Sequence, residues 1–357
     1  MRSSRTTISR LIAALAVLML VAAACGNDDD AAVADAAADN TTTTAEAATP
    51  VADASDDDED DGDSEADGVD RSDWPDEVVF AAVPAEQDAQ LQESYRVTVE
   101  ILESELGVGV DFFQAADYAG VIEALIADRV DMAQFGPFSY VIARANGAEA
   151  EPAGVMVGAP DEEPGYQSFL VARSDNDEIN SIDDIGGKRV CFVDPASTSG
   201  FLYPSAGVID AGFDIDNDIT QIMSGGHDAS AIAVAAGDCD AGFAFDSMVE
   251  TLLIEREEIE EGELKVVWES EVIAGSPVAV RTGLPQSLQD EIKRVLNENV
   301  NVDWAVDNGF CATADDCSLN DEDVWGYVHR DDSFYDGVRA VCSVLGAERA
   351  PQCEGIG

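Results

Sequence analysis

The chain has 357 residues, more than one ordinary domain needs, and 46% of them are hydrophobic, which is enough for a sizeable core. Its 18 lysines and arginines are outnumbered by 74 aspartates and glutamates, so the formal net charge is −56. Because nucleic-acid binding relies on Lys and Arg to neutralise phosphates, this composition excludes a nucleic-acid partner and also a basic membrane-surface helix.

The first 24 residues have the pattern of an export signal. Three arginines precede an uncharged apolar run over residues 11–24, which is too short to span a bilayer comfortably. The run ends in small residues followed by Cys25, and this ending resembles the lipobox of bacterial lipoproteins, in which the cysteine is lipidated. We therefore predict a lipoprotein signal peptide over residues 1–24 and a membrane anchor on Cys25, with a plain secretory signal as the alternative.

The next segment, residues 25–73, is predicted to be a disordered acidic tether. Residues 26–73 contain 18 acidic residues, one arginine and no aromatic residue. Such a chain buries too little apolar surface to offset its ordering entropy, and its charges extend it. The tether would connect an extracytoplasmic folded part, still strongly acidic, to the outer face of the cell membrane.

From residue 77 onwards, apolar periodicity predicts alternating strands and helices. In a first series, strands are predicted over residues 78–83, 110–113 and 131–135, and helices over 87–106, 119–127 and 137–145. After a strand over 168–171, a second series has predicted strands over 189–193, 241–245 and 264–267, and helices over 200–211, 229–236 and 248–259. A strand over 277–281 returns to the first series, and helices are predicted over 284–299 and 321–345.

This alternation predicts an α/β protein of two lobes, each a mostly parallel sheet flanked by helices, with a ligand cleft between the lobes. The predicted first lobe comprises residues 74–166 with 275–357, and the second comprises 167–274. In open α/β sheets, ligands bind beyond the carboxyl ends of the strands. The loops that follow the predicted strands are therefore the candidate sites.

One such loop carries the run Asp194-Pro195-Ala196-Ser197-Thr198-Ser199-Gly200. A strand that passes through Ser197, Thr198 and Ser199 into a helix presents hydroxyls and free backbone N–H groups together, where the helix start favours an anion. An ordinary helix cap with extra serines is the alternative. Three other side chains add donors at comparable places: Tyr118 and His227 at predicted helix starts, and Tyr166 where the chain crosses between the lobes.

Together these segments resemble a known family, the periplasmic phosphate-, phosphite- and phosphonate-binding components of ABC transporters. The resemblance covers roughly residues 77–282. It rests on five segments in the family's order and spacing: Ala116-Asp117-Tyr118-Ala119-Gly120, Phe135-Gly136-Pro137, Pro164-Gly165-Tyr166-Gln167-Ser168, Asp194-Pro195-Ala196-Ser197-Thr198-Ser199-Gly200 and Gly226-His227-Asp228-Ala229.

The resemblance implies a hinged, two-lobed type II periplasmic-binding-protein fold and an ABC permease as partner. It also implies that a small phosphorus oxyanion accepts hydrogen bonds from six side chains: Tyr118, Tyr166, Ser197, Thr198, Ser199 and His227. A monomer without a cofactor or metal is expected. Neutral dipoles can hold such an anion without lysine or arginine.

The chain departs from the family pattern where some members bind the ammonium group of aminoethylphosphonate with acidic residues. At the corresponding positions stand Ser247 and Ser276, although Asp246 is adjacent to the first of them. Asp246, Ser247 and Ser276 are therefore further candidates for the site. The loss of both acids favours phosphite, phosphate or methylphosphonate as the ligand.

Six cysteines remain after Cys25, which suggests up to three disulfides in an oxidising compartment: Cys191, Cys239, Cys311, Cys317, Cys342 and Cys353. We predict a Cys191–Cys239 bridge, because both residues lie at strand starts in the second series, with the other four pairing among themselves.

Three other functions stay open at this stage: an enzyme, a related protein that binds an organic ligand, such as an amino acid or a thiamine precursor, and a surface sensor lipoprotein. An enzyme is the least supported, because no nucleophile elbow, Walker A loop or zinc-protease motif is present.

Overall fold

The computed structural model describes residues 69–86, 91–322 and 324–356 of the chain. The predicted signal peptide, the lipidation of Cys25 and nearly all of the predicted tether lie outside these residues. Within the described residues, no helix is both long enough and apolar enough to cross a bilayer.

The described residues form thirteen strands, numbered in chain order: β1 (Glu77–Ala82), β2 (Gly109–Gln114), β3 (Met132–Gln134), β4 (Ala150–Val157), β5 (Gly165–Tyr166), β6 (Ser168–Arg173), β7 (Arg189–Phe192), β8 (Thr220–Met223), β9 (Ala241–Phe245), β10 (Leu264–Glu269), β11 (Ile273–Ala274), β12 (Pro277–Arg281) and β13 (Gly326–Val328). Six of them build one sheet in the order β13-β4-β12-β3-β1-β2, and five build a second sheet in the order β10-β6-β9-β7-β8. β5 and β11, which lie where the chain passes from one sheet to the other, pair as a separate two-stranded antiparallel ribbon.

Ten α-helices are described: α1 (Leu91–Ser94), α2 (Arg96–Leu106), α3 (Tyr118–Ile126), α4 (Pro137–Ala145), α5 (Tyr203–Asp210), α6 (His227–Ala236), α7 (Leu253–Glu255), α8 (Gln286–Glu298), α9 (Val302–Asp307) and α10 (Asp336–Leu345). Two single π-helical turns, Thr198–Leu202 and Met248–Leu252, lead into α5 and α7. We call the six-stranded sheet with its flanking helices the first lobe, and the five-stranded sheet with its helices the second lobe.

The α/β architecture is confirmed, but the prediction of mostly parallel sheets is wrong. In the first sheet β1 runs parallel to β2 and β3, whereas β12 runs antiparallel to β3 and β4. In the second sheet β7 is parallel to β8 and β9, whereas β6 is antiparallel to β9 and β10. The first sheet is mixed because β12 returns from the second lobe and so enters at the end where β1 and β3 leave.

Two predicted elements of the first lobe need correction. The helix predicted over residues 321–345 is absent: β13 pairs with β4, Asp331 then caps a 3₁₀ turn at Ser333, and only α10 is helical. β4 escaped the sequence analysis because Pro152 interrupts its pattern. The sheet accommodates this proline at a shift in register with β12, where a missing N–H costs least.

The six cysteines after Cys25 form three disulfides. Cys191 on β7 pairs with Cys239, as predicted, with a Cα–Cα distance of 5.9 Å. The other two bridges, Cys311–Cys317 and Cys342–Cys353, lie within the C-terminal part of the chain, also as predicted. The first bridge joins the turn after α6 to the strand that leads into the hydroxyl-rich loop.

Candidate functional site

A turn of the second lobe presents three consecutive hydroxyl side chains. Just beyond β7, Ser197 caps the turn Thr198–Leu202 by accepting a hydrogen bond from the Gly200 N–H at 3.1 Å. A side chain at Gly200 would place its Cβ 2.3 Å from the Cβ of Val193, so the close approach of this turn to β7 requires glycine. The first amides of the turn have no acceptor within it and can serve a ligand.

The three hydroxyls of this turn are almost completely buried: Ser197, Thr198 and Ser199 are each at most 2% exposed. The Ser199 carbonyl accepts a hydrogen bond from the Ser168 hydroxyl at 2.6 Å, which ties the turn to β6. Each hydroxyl keeps one proton that it can donate. The turn therefore combines several neutral donors with the favourable field of a helix start.

His227 is the first residue of α6, and its ring is held in one orientation. Its Nδ1 accepts a hydrogen bond from the Phe245 N–H at 3.2 Å, so the neutral ring carries its proton on Nε2. Nε2 lies 3.2 Å from the Ser197 hydroxyl oxygen. Burial lowers the pKa of His227 to about 3, so at physiological pH the imidazole is neutral and offers one N–H beside the hydroxyls.

Two tyrosines complete the ring of donors. Tyr118 opens α3, whose cap Asp117 accepts a hydrogen bond from the Gly120 N–H at 2.8 Å. The Tyr118 phenol interacts with the Ser197 side chain, and the phenol of Tyr166 on β5 interacts with the hydroxyls of Thr198 and Ser199. Burial raises the pKa of both phenols, so both keep the protons that they can donate.

The two lobes contact each other around this group of donors. The Phe138 N–H at the start of α4 donates to Thr198 Oγ1 at 2.9 Å, and the His227 N–H donates to the Ala85 carbonyl at 2.9 Å. Arg256 of the second lobe forms an ion pair with Glu86, which follows β1. Burial raises the pKa of Glu86 to about 7, although the hydrogen bonds and charge of Arg256 act in the opposite direction.

Replacing Arg256 by methionine should weaken ligand binding about tenfold, because the variant loses an ion pair that links the two lobes beside the cavity. Titration calorimetry would measure the affinity, and small-angle X-ray scattering should find a larger radius of gyration without ligand. The control is Arg96→Met, which removes ion pairs to Glu93 and Glu100 within the first lobe. Equal effects of the two variants would contradict the role of the Arg256–Glu86 pair.

The donors line a small cavity of about 20 Å³. None of the described residues that line it is a lysine or an arginine. A space this small suits a compact ligand of few atoms, bound by neutral dipoles. The lining residues are Val83, Ala85, Tyr95, Tyr118, Gln134, Phe135, Gly136, Tyr166, Ser197, Thr198, Ser199, His227, Phe245, Ser276, Asp321 and Glu322.

Seven of the nine side chains named from the sequence thus meet in one cavity, and Asp246 and Ser247 do not. They line a neighbouring, more open depression, which shares Tyr166, Ser276 and Glu322 with the cavity. Asp246 accepts hydrogen bonds from the Gln167 and Ser247 N–H groups at 2.9 and 3.0 Å. Its carboxylate is therefore largely committed to the backbone where the chain enters the second lobe.

The sequence analysis missed two acidic residues of the cavity, Asp321 and Glu322. Asp321 is 7% exposed and accepts a hydrogen bond from the Tyr95 phenol at 2.8 Å. Burial raises the pKa of Asp321 to about 6, although the hydrogen bond from Tyr95 acts to lower it. Burial also raises the pKa of Glu322. No motif marks this segment, which was predicted to be helical and lies far along the chain from the other donors.

Comparison with known proteins gives a consistent result. Residues 80–299 match the family described as the ABC transporter, phosphonate, periplasmic substrate-binding protein. The "Phosphate-import protein PhnD" of Mycolicibacterium smegmatis is 46% identical over 289 residues, which are 79% of this chain and 89% of that protein. The family match ends at residue 299, before Asp321 and before the Cys311–Cys317 and Cys342–Cys353 bridges.

Two solved structures share the fold. A binding-protein component of an ABC phosphonate transporter from Pseudomonas aeruginosa has a TM-score of 0.64 at 24% identity, covering 80% of this chain and 95% of that one. PhnD1 from Prochlorococcus marinus, solved in complex with methylphosphonate, has a TM-score of 0.63 at 19% identity, covering 76% and 98%. The two-lobed type II periplasmic-binding-protein fold expected from the sequence is thereby confirmed.

Proposed function

This chain belongs to the family of periplasmic substrate-binding proteins that serve phosphonate ABC transporters, and we propose that it captures a small phosphorus oxyanion and delivers it to an ABC importer. The observation that carries the proposal is the small cavity lined by Tyr118, Ser197, Thr198, Ser199 and His227, which concentrates five neutral donors on one space. An anion there would lose its water and gain hydrogen bonds in a low-dielectric surrounding.

Phosphate, phosphite and methylphosphonate are the proposed ligands. Each is a compact tetrahedral group, in keeping with the small cavity, and the M. smegmatis relative is named for phosphate import. An aminoethyl substituent would need more room, and Ser247 and Ser276 stand where acids would hold its ammonium group. The acidic surface opposes long-range attraction of any anion, so the short-range donors must supply the affinity.

Titration calorimetry of the purified protein with phosphate, phosphite, methylphosphonate and aminoethylphosphonate tests the proposal. We expect at least one of the first three to bind more tightly than aminoethylphosphonate. Absence of binding by all three, or tightest binding of aminoethylphosphonate, would contradict it. Thermal-shift screening with amino acids and thiamine precursors addresses the alternative of an organic ligand, because only a true ligand stabilises the folded protein by mass action.

We further propose that the protein is a monomer held at the outer face of the cell membrane by lipid on Cys25. The support is sequence alone: a basic start, an apolar run of limited length and small residues before the cysteine. Cys25→Ala should move the protein from the membrane fraction to the soluble fraction, as judged by immunoblotting after fractionation. Cys311→Ala, which removes a cysteine of the folded part, is the control, and retention of Cys25→Ala at the membrane would rule out the lipid anchor.

A further inference from the structure

Asp321 comes from a part of the chain beyond the family match, yet this residue lines the cavity. Its segment is well fixed. The Leu319 carbonyl accepts a hydrogen bond from the Thr98 hydroxyl at 2.6 Å, and the side chain of Asn320 accepts one from the Glu322 N–H at 2.9 Å. Asp321 is thus held at the cavity by neighbours on both sides along the chain.

The two carboxyl oxygens of Asp321 differ in their surroundings. Oδ1 accepts the hydrogen bond from Tyr95, whereas Oδ2 is buried and has no hydrogen-bond partner among the described residues. An unsatisfied buried carboxyl oxygen is costly, and native proteins rarely leave one. Because Asp321 lines the cavity, a ligand bound there can supply the partner for Oδ2.

An anionic ligand can meet a carboxyl oxygen at hydrogen-bond distance only if one proton lies between them. Phosphate and its relatives retain an acidic O–H around neutral pH, since the second ionisation of a phosphoryl group occurs near that range. Sulfate carries two negative charges and no proton under the same conditions. Opposite a carboxylate, sulfate therefore meets like-charge repulsion that a protonated phosphorus oxyanion avoids.

We propose that Asp321 is a specificity-determining residue whose Oδ2 accepts a hydrogen bond from the remaining O–H of the bound oxyanion, so that the cavity accepts protonated phosphorus oxyanions and rejects sulfate. This inference rests on the proposed function. The proton resides on the ligand, whose O–H donates to the Asp321 carboxylate. A protonated Asp321 would donate to sulfate as well, so the discrimination requires the carboxylate form of Asp321.

The other charged groups near Asp321 favour a ligand that keeps its proton. Glu86 and Glu322 are acidic neighbours, and Arg256 provides the positive charge that partly compensates them. In this mostly acidic surrounding, a second full negative charge on the ligand next to Asp321 is unfavourable. A proton between the two groups removes that repulsion without any lysine or arginine in the cavity lining.

The test compares phosphate, arsenate and sulfate by titration calorimetry at one pH near 7. For the wild type, arsenate should bind with an affinity close to that of phosphate, because it has the same shape and also carries a proton. Sulfate should bind about 100-fold or more weakly than phosphate. Asp321→Asn should reduce the ratio of phosphate affinity to sulfate affinity at least about tenfold, because the amide is uncharged and donates to either anion.

Asp315→Asn is the matched control, since Asp315 is exposed on the same segment and loses the same charge. It should leave the ratio unchanged. Wild-type sulfate binding within tenfold of phosphate binding would overturn the role of Asp321, as would an unchanged ratio in a folded Asp321→Asn protein. If Asp321→Asn does not fold, the wild-type series with arsenate and sulfate decides. Absence of binding by every phosphorus oxyanion would instead overturn the proposed function itself.

Discussion

Replacing Thr198 by valine should weaken phosphate binding about 10- to 150-fold, because a hydrogen bond to a charged group contributes roughly 1.5–3 kcal/mol. Valine keeps the shape of threonine and removes only the hydroxyl. That hydroxyl has a second role, since it accepts a hydrogen bond from the Phe138 N–H of the other lobe. The variant therefore loses a donor to the anion and leaves a buried N–H of α4 without its acceptor.

Titration calorimetry would measure this loss, and Thr220→Val is the control, because Thr220 is an exposed threonine on β8 in the same lobe. His227→Ala offers a second check, since it removes the Nε2–H beside Ser197 and leaves the three hydroxyls of the turn in place. An affinity that is unchanged in both Thr198→Val and His227→Ala would rule out this cavity as the anion site. A loss in the Thr220→Val control would point to general destabilisation of the second lobe.

The donors could be found from sequence because each follows a local rule. Ser197, Thr198 and Ser199 lie where an apolar run ends and a helical turn begins, and parallel strands such as β7 and β9 bring such ends to one edge of a sheet. Tyr118 and His227 each open a helix, so their positions were also readable from the chain. Local position made these residues candidates, and the family resemblance, which also supplied Tyr166, implied that they bind one ligand together.

Asp321 could not be found in this way, because its position depends on contacts with distant parts of the chain. Its hydrogen-bond partner Tyr95 lies 226 residues earlier in the chain, so no local sequence pattern links the two. The Thr98 hydroxyl, which donates to the Leu319 carbonyl, is likewise 221 residues away from it. The predicted helix over residues 321–345 failed for the same reason. Pairing of β13 with β4 takes precedence over helical periodicity there, and β4 itself was hidden by Pro152.

Asp246 shows that an acidic residue next to a family site position does not thereby belong to the site. Asp246 is next to Ser247 in sequence, but its carboxylate accepts hydrogen bonds from two backbone N–H groups. The residue lines the neighbouring depression and not the cavity. A half-buried carboxylate with such partners cannot shift toward a ligand without losing these hydrogen bonds. The acidic groups of this cavity come instead from the C-terminal segment that contains the additional disulfides.

The second large effect concerns the Cys191–Cys239 bridge. Replacing both cysteines by alanine should lower the free energy of unfolding by about 4 kcal/mol, because the bridge closes a loop with a sequence separation of 48. Urea unfolding with linear extrapolation would measure it. Ligand affinity should fall much less in the folded variant, since the turn after β7 is also tied by the Ser168 hydroxyl and by the interlobe contact with Phe138.

The Cys311→Ala/Cys317→Ala pair is the matched control, because it removes two sulfur atoms but opens a loop with a separation of only 6. Loop-closure entropy predicts a loss of roughly 2 kcal/mol for this short loop. The difference between the two double variants, about 2 kcal/mol, isolates the effect of loop length from the loss of buried sulfur. Equal losses would mean that packing around the sulfurs, rather than restriction of the unfolded chain, is how the bridge on β7 stabilises the second lobe.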